Sequence, residues 1–99
     1  MTFKEKERLI RYIFKKRQQI LMYSQHVCDK ADNEECAQDL FLSWVHYALC
    51  SCSKVSRFIL ENEFILYKRK EWWYDYFSRS SYYRMKQKAM DEFLDCLHN

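Results

Sequence analysis

The segment from Ser78 to Ala89 carries the residue types that contact nucleic acid, at a spacing suited to a helix with two different sides. Ser78 is placed to cap the helix N-terminus, where backbone amides and the helix dipole favour a phosphate. Arginine can bind guanine through two hydrogen bonds, glutamine can bind adenine in the same way, and serine can bond several groups. The first turn holds Arg79, Ser80 and Ser81, an apolar side holds Tyr82, Met85 and Ala89, and the opposite side holds Tyr83, Arg84, Gln87 and Lys88.

Basic residues are concentrated in two segments of the chain. Residues 4–17 contain seven basic and two acidic residues, and residues 68–88 again contain seven and two, whereas residues 18–67 contain three basic and seven acidic residues. This layout predicts one or two surfaces that face phosphates, although the net charge is only +3. We expect the phosphate contacts to come from Lys68, Arg69, Lys70, Lys86 and Lys88, which supply affinity without reading sequence. The 4–17 cluster can equally be an ordinary exposed face, because Glu5 and Glu7 lie within it.

The string Ser78 to Ala89, followed by Phe93-Leu94, resembles the recognition helix of sigma-factor region-four-like proteins, a group that includes ArpU-type phage regulators and small mycoplasma-type proteins. The resemblance extends over about residues 55–97. It implies sequence-specific binding of duplex DNA, with a helix-turn-helix in residues 53–97 and transcriptional regulation as the function. The groove residues that it implies are Arg79, Ser80, Ser81, Tyr83 and Arg84. Where such a turn usually has glycine, this chain has Tyr76.

The elements that must position this segment are predicted to be helices. The chain has no glycine and no proline, which argues against hairpins and leaves turns to Asp, Asn and Ser. We therefore expect a single all-α domain over residues 1–99, an orthogonal arrangement of about five helices ending in the helix-turn-helix. Residues 1–52 contribute helices to which no function is assigned.

Apolar spacing and capping residues predict the bounds of these helices. Thr2 and Glu5 form a capping-box pattern for a first helix that runs to about His26. Residues 34–66 could be one helix or two; we favour two, with Ser53 capping the second from Lys54 to about Leu66. A short aromatic helix from Glu71 to Tyr76 precedes the last helix, which runs from Arg79 to about Leu97.

Other readings of the same residues predict less. The aromatic run from Trp72 to Phe77 could stack on single-stranded bases, but packing in the core is favoured. His46 and Cys50 lie one helical turn apart, yet a structural zinc site needs four ligands, so neither a metal nor another cofactor is expected. The three histidines have no evident nucleophile or base beside them, and the sequence carries no signature of an enzyme.

Partners and location follow from the same composition. No apolar run approaches ~20 residues, so no membrane contact is expected. The first residues lack the apolar stretch of a signal peptide, so a cytoplasmic location is expected, with the five cysteines as free thiols. The alternative to DNA binding is a helical protein-interaction module that docks another protein, such as RNA polymerase. The sequence also leaves a homodimer open.

Overall fold

Helices make up nearly all of the described chain. The computed structural model describes residues 1–26, 32–66 and 69–98, with side chains except at 23–26 and 32–36, and these ranges contain no β-strand. The predicted all-α class is therefore confirmed. The α-helices are α1 (Phe3–His26), α2 (Asp32–Ser51), α3 (Lys54–Leu60) and α4 (Arg79–His98).

The described residues thus form four α-helices, not the five that were predicted. The segment expected as a short aromatic helix forms a single 3-10 turn at Trp72–Asp75. Helix α3 ends at Leu60 and continues as a π-helix over Glu61–Leu66, so the helix predicted to reach Leu66 changes its hydrogen-bonding pattern midway. A π-helical turn is rare in proteins and is often found where a side chain must be directed into a specific site.

Three predicted capping residues fix the starts of α1, α3 and α4. Thr2 Oγ1 accepts a hydrogen bond from the Glu5 amide at 3.2 Å. Ser53 Oγ caps α3, which confirms that residues 32–66 contain two helices separated at this point. Ser78 Oγ accepts from the Ser81 amide at 3.3 Å and so caps α4. Each cap satisfies an amide that the helix itself leaves unpaired.

Helix α4 lies at the centre of the packing and contacts α1, α2 and α3. Its buried residues are Tyr82, Lys86, Ala89, Met90, Phe93, Leu94 and Leu97. The predicted apolar side included Met85, which is only half-buried. The buried face is therefore rotated from the predicted one, and it includes a lysine.

The outer helices contribute one apolar side each to this core. Helix α1 contributes Ile10, Ile13 and Phe14, and Phe14 stacks on Phe93 of α4 with ring centroids 5.1 Å apart. Helix α2 contributes Val45, Ala48 and Leu49, whereas the neighbouring Trp44 is 45% exposed.

Trp44 instead lies at the edge of the core. Its indole N–H donates to the Leu97 carbonyl at 2.9 Å, near the end of α4.

Candidate nucleic-acid interface

The N-terminal end of α4 is held in place by the aromatic residues that precede it. Trp73 stacks on Tyr82 with ring centroids 4.8 Å apart and an interplanar angle of 8°. The turn between the 3-10 segment and α4 has three residues, and Tyr76 adopts φ −115°, which any residue with a β-carbon can adopt. Glycine is therefore not needed at this turn.

The first three turns of α4 expose most of the predicted groove residues. Arg79, Ser80, Arg84 and Gln87 are exposed, and Ser81 is half-buried. Because the opposite side of the helix packs in the core, Ser80, Arg84 and Gln87 lie on one outward side over about 10 Å of helix. Arg79 precedes the buried Tyr82 by three residues and is exposed because it stands at the end of the helix. The structure therefore places them together, as an exposed group at the start of α4.

Tyr83 belongs to this surface but is also anchored. Its ring contacts Trp73 and the ring of Phe3 in α1, with centroid separations of 6.2 and 6.5 Å. This contact brings the N-terminus of α1 beside the exposed side of α4. Tyr83 is 43% exposed, so part of its side chain faces solvent.

The predicted phosphate contact at Lys86 is wrong. Lys86 is only 4% exposed, and its ammonium lies 2.6 Å from Glu7 and 3.3 Å from Glu63. A buried ammonium needs such partners because transfer out of water disfavours its charge. Lys88, two residues later, is exposed and remains a candidate phosphate contact.

Glu63 is the centre of this buried polar cluster, and the sequence analysis did not identify it. Its carboxylate accepts hydrogen bonds from Tyr82 Oη at 2.7 Å and Trp72 Nε1 at 2.8 Å. Arg11 of α1 lies at 3.2 Å. Burial raises the pKa of Glu63, but the hydrogen bonds from Tyr82 and Trp72 and the nearby Lys86 outweigh it, and the net pKa is lowered. The ionised carboxylate thus joins α1, the π-helix, the 3-10 turn and α4.

Residues 68–70 form a basic connector between α3 with its π-helix and the 3-10 turn, and its described cations, Arg69 and Lys70, are both exposed. Arg69 pairs with Asp75 at 3.1 Å, and both side chains are largely exposed. Arg69 and Lys70 line a cavity of about 300 Å³ together with Arg11, Asn62, Glu63 and Trp72. The connector cations therefore lie beside α1, and Lys68 falls outside the described residues.

The aromatic run divides between core and surface. Trp72 and Trp73 are buried and Phe77 is half-buried, in agreement with the favoured packing role. Tyr74 and Tyr76 are exposed. A cavity of about 510 Å³ between Tyr74, Trp73 and Arg79 opens at the start of α4.

The predicted metal candidates form only a pair among the described side chains. The Cys50 thiol lies 3.5 Å from His46 Nε2. The described residues contain no cluster of three or more His, Cys, Asp or Glu side chains that could hold a metal ion. Within the same residues, no helix is both long and apolar enough to cross a membrane.

Comparison with known proteins adds no relative to this description. No protein-family model matches the chain, and no curated protein or solved structure matches it either. The resemblance to sigma-factor region-four-like proteins therefore stays a hypothesis that depends on the residues from Ser78 to Leu94.

Proposed function

We propose that the protein binds duplex DNA sequence-specifically through the N-terminal half of α4 and thereby regulates transcription. One observation carries this proposal: Arg84 and Lys88 are exposed on the side of α4 that faces away from the core, and Arg79 is exposed at the N-terminal end of the same helix. None of the three forms a salt bridge with a described side chain, although Lys88 lies near enough to lower the pKa of Glu92. Unpaired cations on a rigid helix are suited to binding an external polyanion.

The residue types on this surface suit both base reading and phosphate binding. Arg84 and Gln87 are exposed side chains of the kind that form two hydrogen bonds with guanine and adenine, respectively. The capped N-terminus of α4 offers amides and the positive end of the helix dipole to a phosphate. In our proposal this end of α4 enters the major groove, and Lys88 contacts the backbone.

The connection before α4 supports a helix-turn-helix of reduced form. A turn of three residues separates the 3-10 segment Trp72–Asp75 from Arg79, and helix-turn-helix connections have about three or four residues. The first element is a single turn, so it is too short to lie across the DNA backbone as a full helix would. We therefore assign DNA recognition to α4 and a supporting role to the 3-10 turn.

Fluorescence anisotropy of a labelled mixed-sequence duplex, at low and near-physiological salt, tests this proposal. The wild-type protein should bind with strong salt dependence, and Arg79→Ala/Arg84→Ala should lose most of that binding. The matched control is Lys16→Ala/Lys54→Ala, which removes two exposed cations from outside this surface. Circular dichroism should show unchanged helix content in both variants. Absence of wild-type binding at low salt would contradict the proposal.

The second candidate function, a protein-interaction module, is favoured by the outer side of α2. Leu40, Trp44 and Tyr47 are exposed there at intervals of four and three residues, so they form one apolar stripe. The sequence resemblance implies RNA polymerase as the partner. If the Arg79/Arg84 variant keeps a captured partner while it loses DNA, the two surfaces act separately. If the wild type captures a partner and never binds DNA, this second function replaces the first.

A further inference from the structure

Helix α1 carries a stripe of basic side chains along one side. Lys4, Arg8, Arg11 and Lys15 follow each other at intervals of four, three and four residues, which places them on one helical face. Lys4 and Lys15 are eleven residues apart, so the stripe extends over about 16 Å. We call these four residues the α1 basic stripe. None of these four residues is among the DNA-binding residues proposed above.

Tertiary contacts connect the α1 basic stripe to both other basic regions. Arg11, in its middle, lines the cavity of about 300 Å³ together with Arg69 and Lys70 of the connector. At its N-terminal end, the ring of Phe3 contacts Tyr83 on the exposed side of α4. Arg11 and the connector cations, which are distant in sequence, therefore lie at one cavity, and the N-terminus of α1 lies beside the exposed side of α4.

Three of the four cations of the stripe are available to a partner, whereas Arg11 is paired with Glu63 at 3.2 Å. Lys4, Arg8 and Lys15 are exposed, and in the described part of the chain none of them forms an ion pair. Glu7, the acidic residue nearest the stripe, binds the buried ammonium of Lys86 at 2.6 Å. Glu5 points to Thr2, whose hydroxyl lies 3.1 Å from its carboxylate. Glu7 also lies 3.8 Å from Arg11, so the charge of Arg11 is shared with this carboxylate and with Glu63. The charges of Lys4, Arg8 and Lys15 are not paired with the acidic residues of α1.

We propose that the α1 basic stripe and the connector residues Arg69 and Lys70 bind the sugar-phosphate backbone of the duplex that α4 reads. This inference rests on the proposed function, since it extends the same complex. The stripe extends over about 16 Å, and a DNA strand carries roughly five phosphates over that length, at one charge per ~3.4 Å of helix axis. Such contacts orient the protein and raise affinity for all sequences, while α4 supplies discrimination.

The salt dependence of DNA binding tests the inference directly. Each phosphate contact contributes about 0.9 to the slope of log K against log salt concentration. We expect Arg8→Gln/Lys15→Gln to reduce the magnitude of this slope by about 1.8. The variant should also bind specific and mixed-sequence duplexes more weakly, by the same factor for both. The control Lys16→Gln/Lys54→Gln removes the same charge from outside the stripe and should change the slope little. Both proteins should match the wild type in melting temperature.

The outcomes separate this inference from the function on which it rests. If the wild type binds DNA and Arg8→Gln/Lys15→Gln shows the same salt dependence, the proposal for the α1 basic stripe is wrong, whereas the function proposed for α4 stands. An equal change in both double variants also overturns it, because the effect would then be one of net charge. Absence of wild-type binding overturns both proposals. If polyglutamate competes with the duplex at equal charge concentration, the stripe binds acidic chains in general and the assignment to a nucleic-acid backbone is wrong.

Discussion

Replacing Glu63 by glutamine tests whether the buried polar cluster holds the four elements together. Glutamine keeps the shape of the side chain but removes the charge that faces Lys86 and Arg11. The amide oxygen of glutamine can still accept a hydrogen bond from Tyr82 or Trp72. The amide NH₂ is a donor, and the groups that face it are donors as well, so it finds no acceptor there. The variant therefore loses charge-assisted hydrogen bonds and leaves Lys86 with Glu7 as its remaining acidic partner.

The size of the effect follows from burial. Removing one partner of a buried ion pair lowers the free energy of unfolding by roughly 3–5 kcal/mol, because the other charge stays buried without its partner. Lys86 keeps Glu7, so we expect the lower end, about 3 kcal/mol. For a domain of this size that corresponds to a fall in melting temperature of roughly 12–24 °C.

Glu61 provides a matched control within the same π-helix. Its carboxylate pairs with Arg57 at 2.7 Å, but the Glu61 side chain is 37% exposed, compared with 15% for Glu63. An exposed pair of this spacing contributes about 0.3–0.5 kcal/mol. Glu61→Gln should therefore unfold at nearly the wild-type urea concentration. Equilibrium urea unfolding monitored by tryptophan fluorescence and circular dichroism measures both variants.

The pH dependence gives an independent check with a definite sign. The pKa of Glu63 is lower in the folded protein than its ordinary value of 4.5, so folding favours the ionised form. Its contribution to stability is full above the unfolded pKa and is lost as pH falls through the folded pKa. The difference between wild type and Glu63→Gln should shrink as pH falls below about 4.5. If Glu63→Gln and Glu61→Gln unfold alike at pH 7, the cluster does not stabilise the fold as we argue.

Two further predictions concern single side chains. Arg84→Ala should weaken specific DNA binding by about 1–3 kcal/mol and relax the preference at one base pair, measured by competition among site variants. An equal loss on every sequence would make Arg84 a phosphate contact only. Burial raises the pKa of the Cys52 thiol to about 12, with Cys96 and Glu92 adding to the shift, so iodoacetamide at pH 8 should alkylate the exposed Cys50 before Cys52. Mass spectrometry of the labelled peptides decides this, and early labelling of Cys52 in folded protein would contradict its burial.

Lys86 shows why a helical pattern can be read in two ways. Tyr82, Lys86, Ala89 and Phe93 step by four, three and four residues, which is as good a buried stripe as the one drawn through Met85. Hydrophobicity favoured Met85 because a lysine is seldom buried unless it is paired. The spacing alone was therefore compatible with a buried Lys86. The acidic partners that permit its burial, Glu7 and Glu63, are too distant in sequence for a local pattern to indicate.

The helix starts and the all-α class depended on the sequence alone. Thr2, Ser53 and Ser78 cap helices through bonds to amides three residues ahead, and such local contacts form wherever the same residues stand in the same order. Without glycine and proline, the chain has no residue that would favour hairpins. The same local periodicity placed Arg84, Gln87 and Lys88 on the exposed side of α4, but it did not predict the burial of Lys86.

Only the tertiary structure decided where the charges are neutralised. Glu63 meets donors 9, 19 and 23 residues later in the chain, and Glu7 meets Lys86 across 79 residues. No local pattern specifies such pairs, because the energy of a buried charge depends on every group that the folded chain brings around it. The same packing reduced a predicted helix to one 3-10 turn and brought the α1 basic stripe beside the connector. Helix periodicity determined the faces of each element, and contacts between elements determined which face became core, salt bridge or surface.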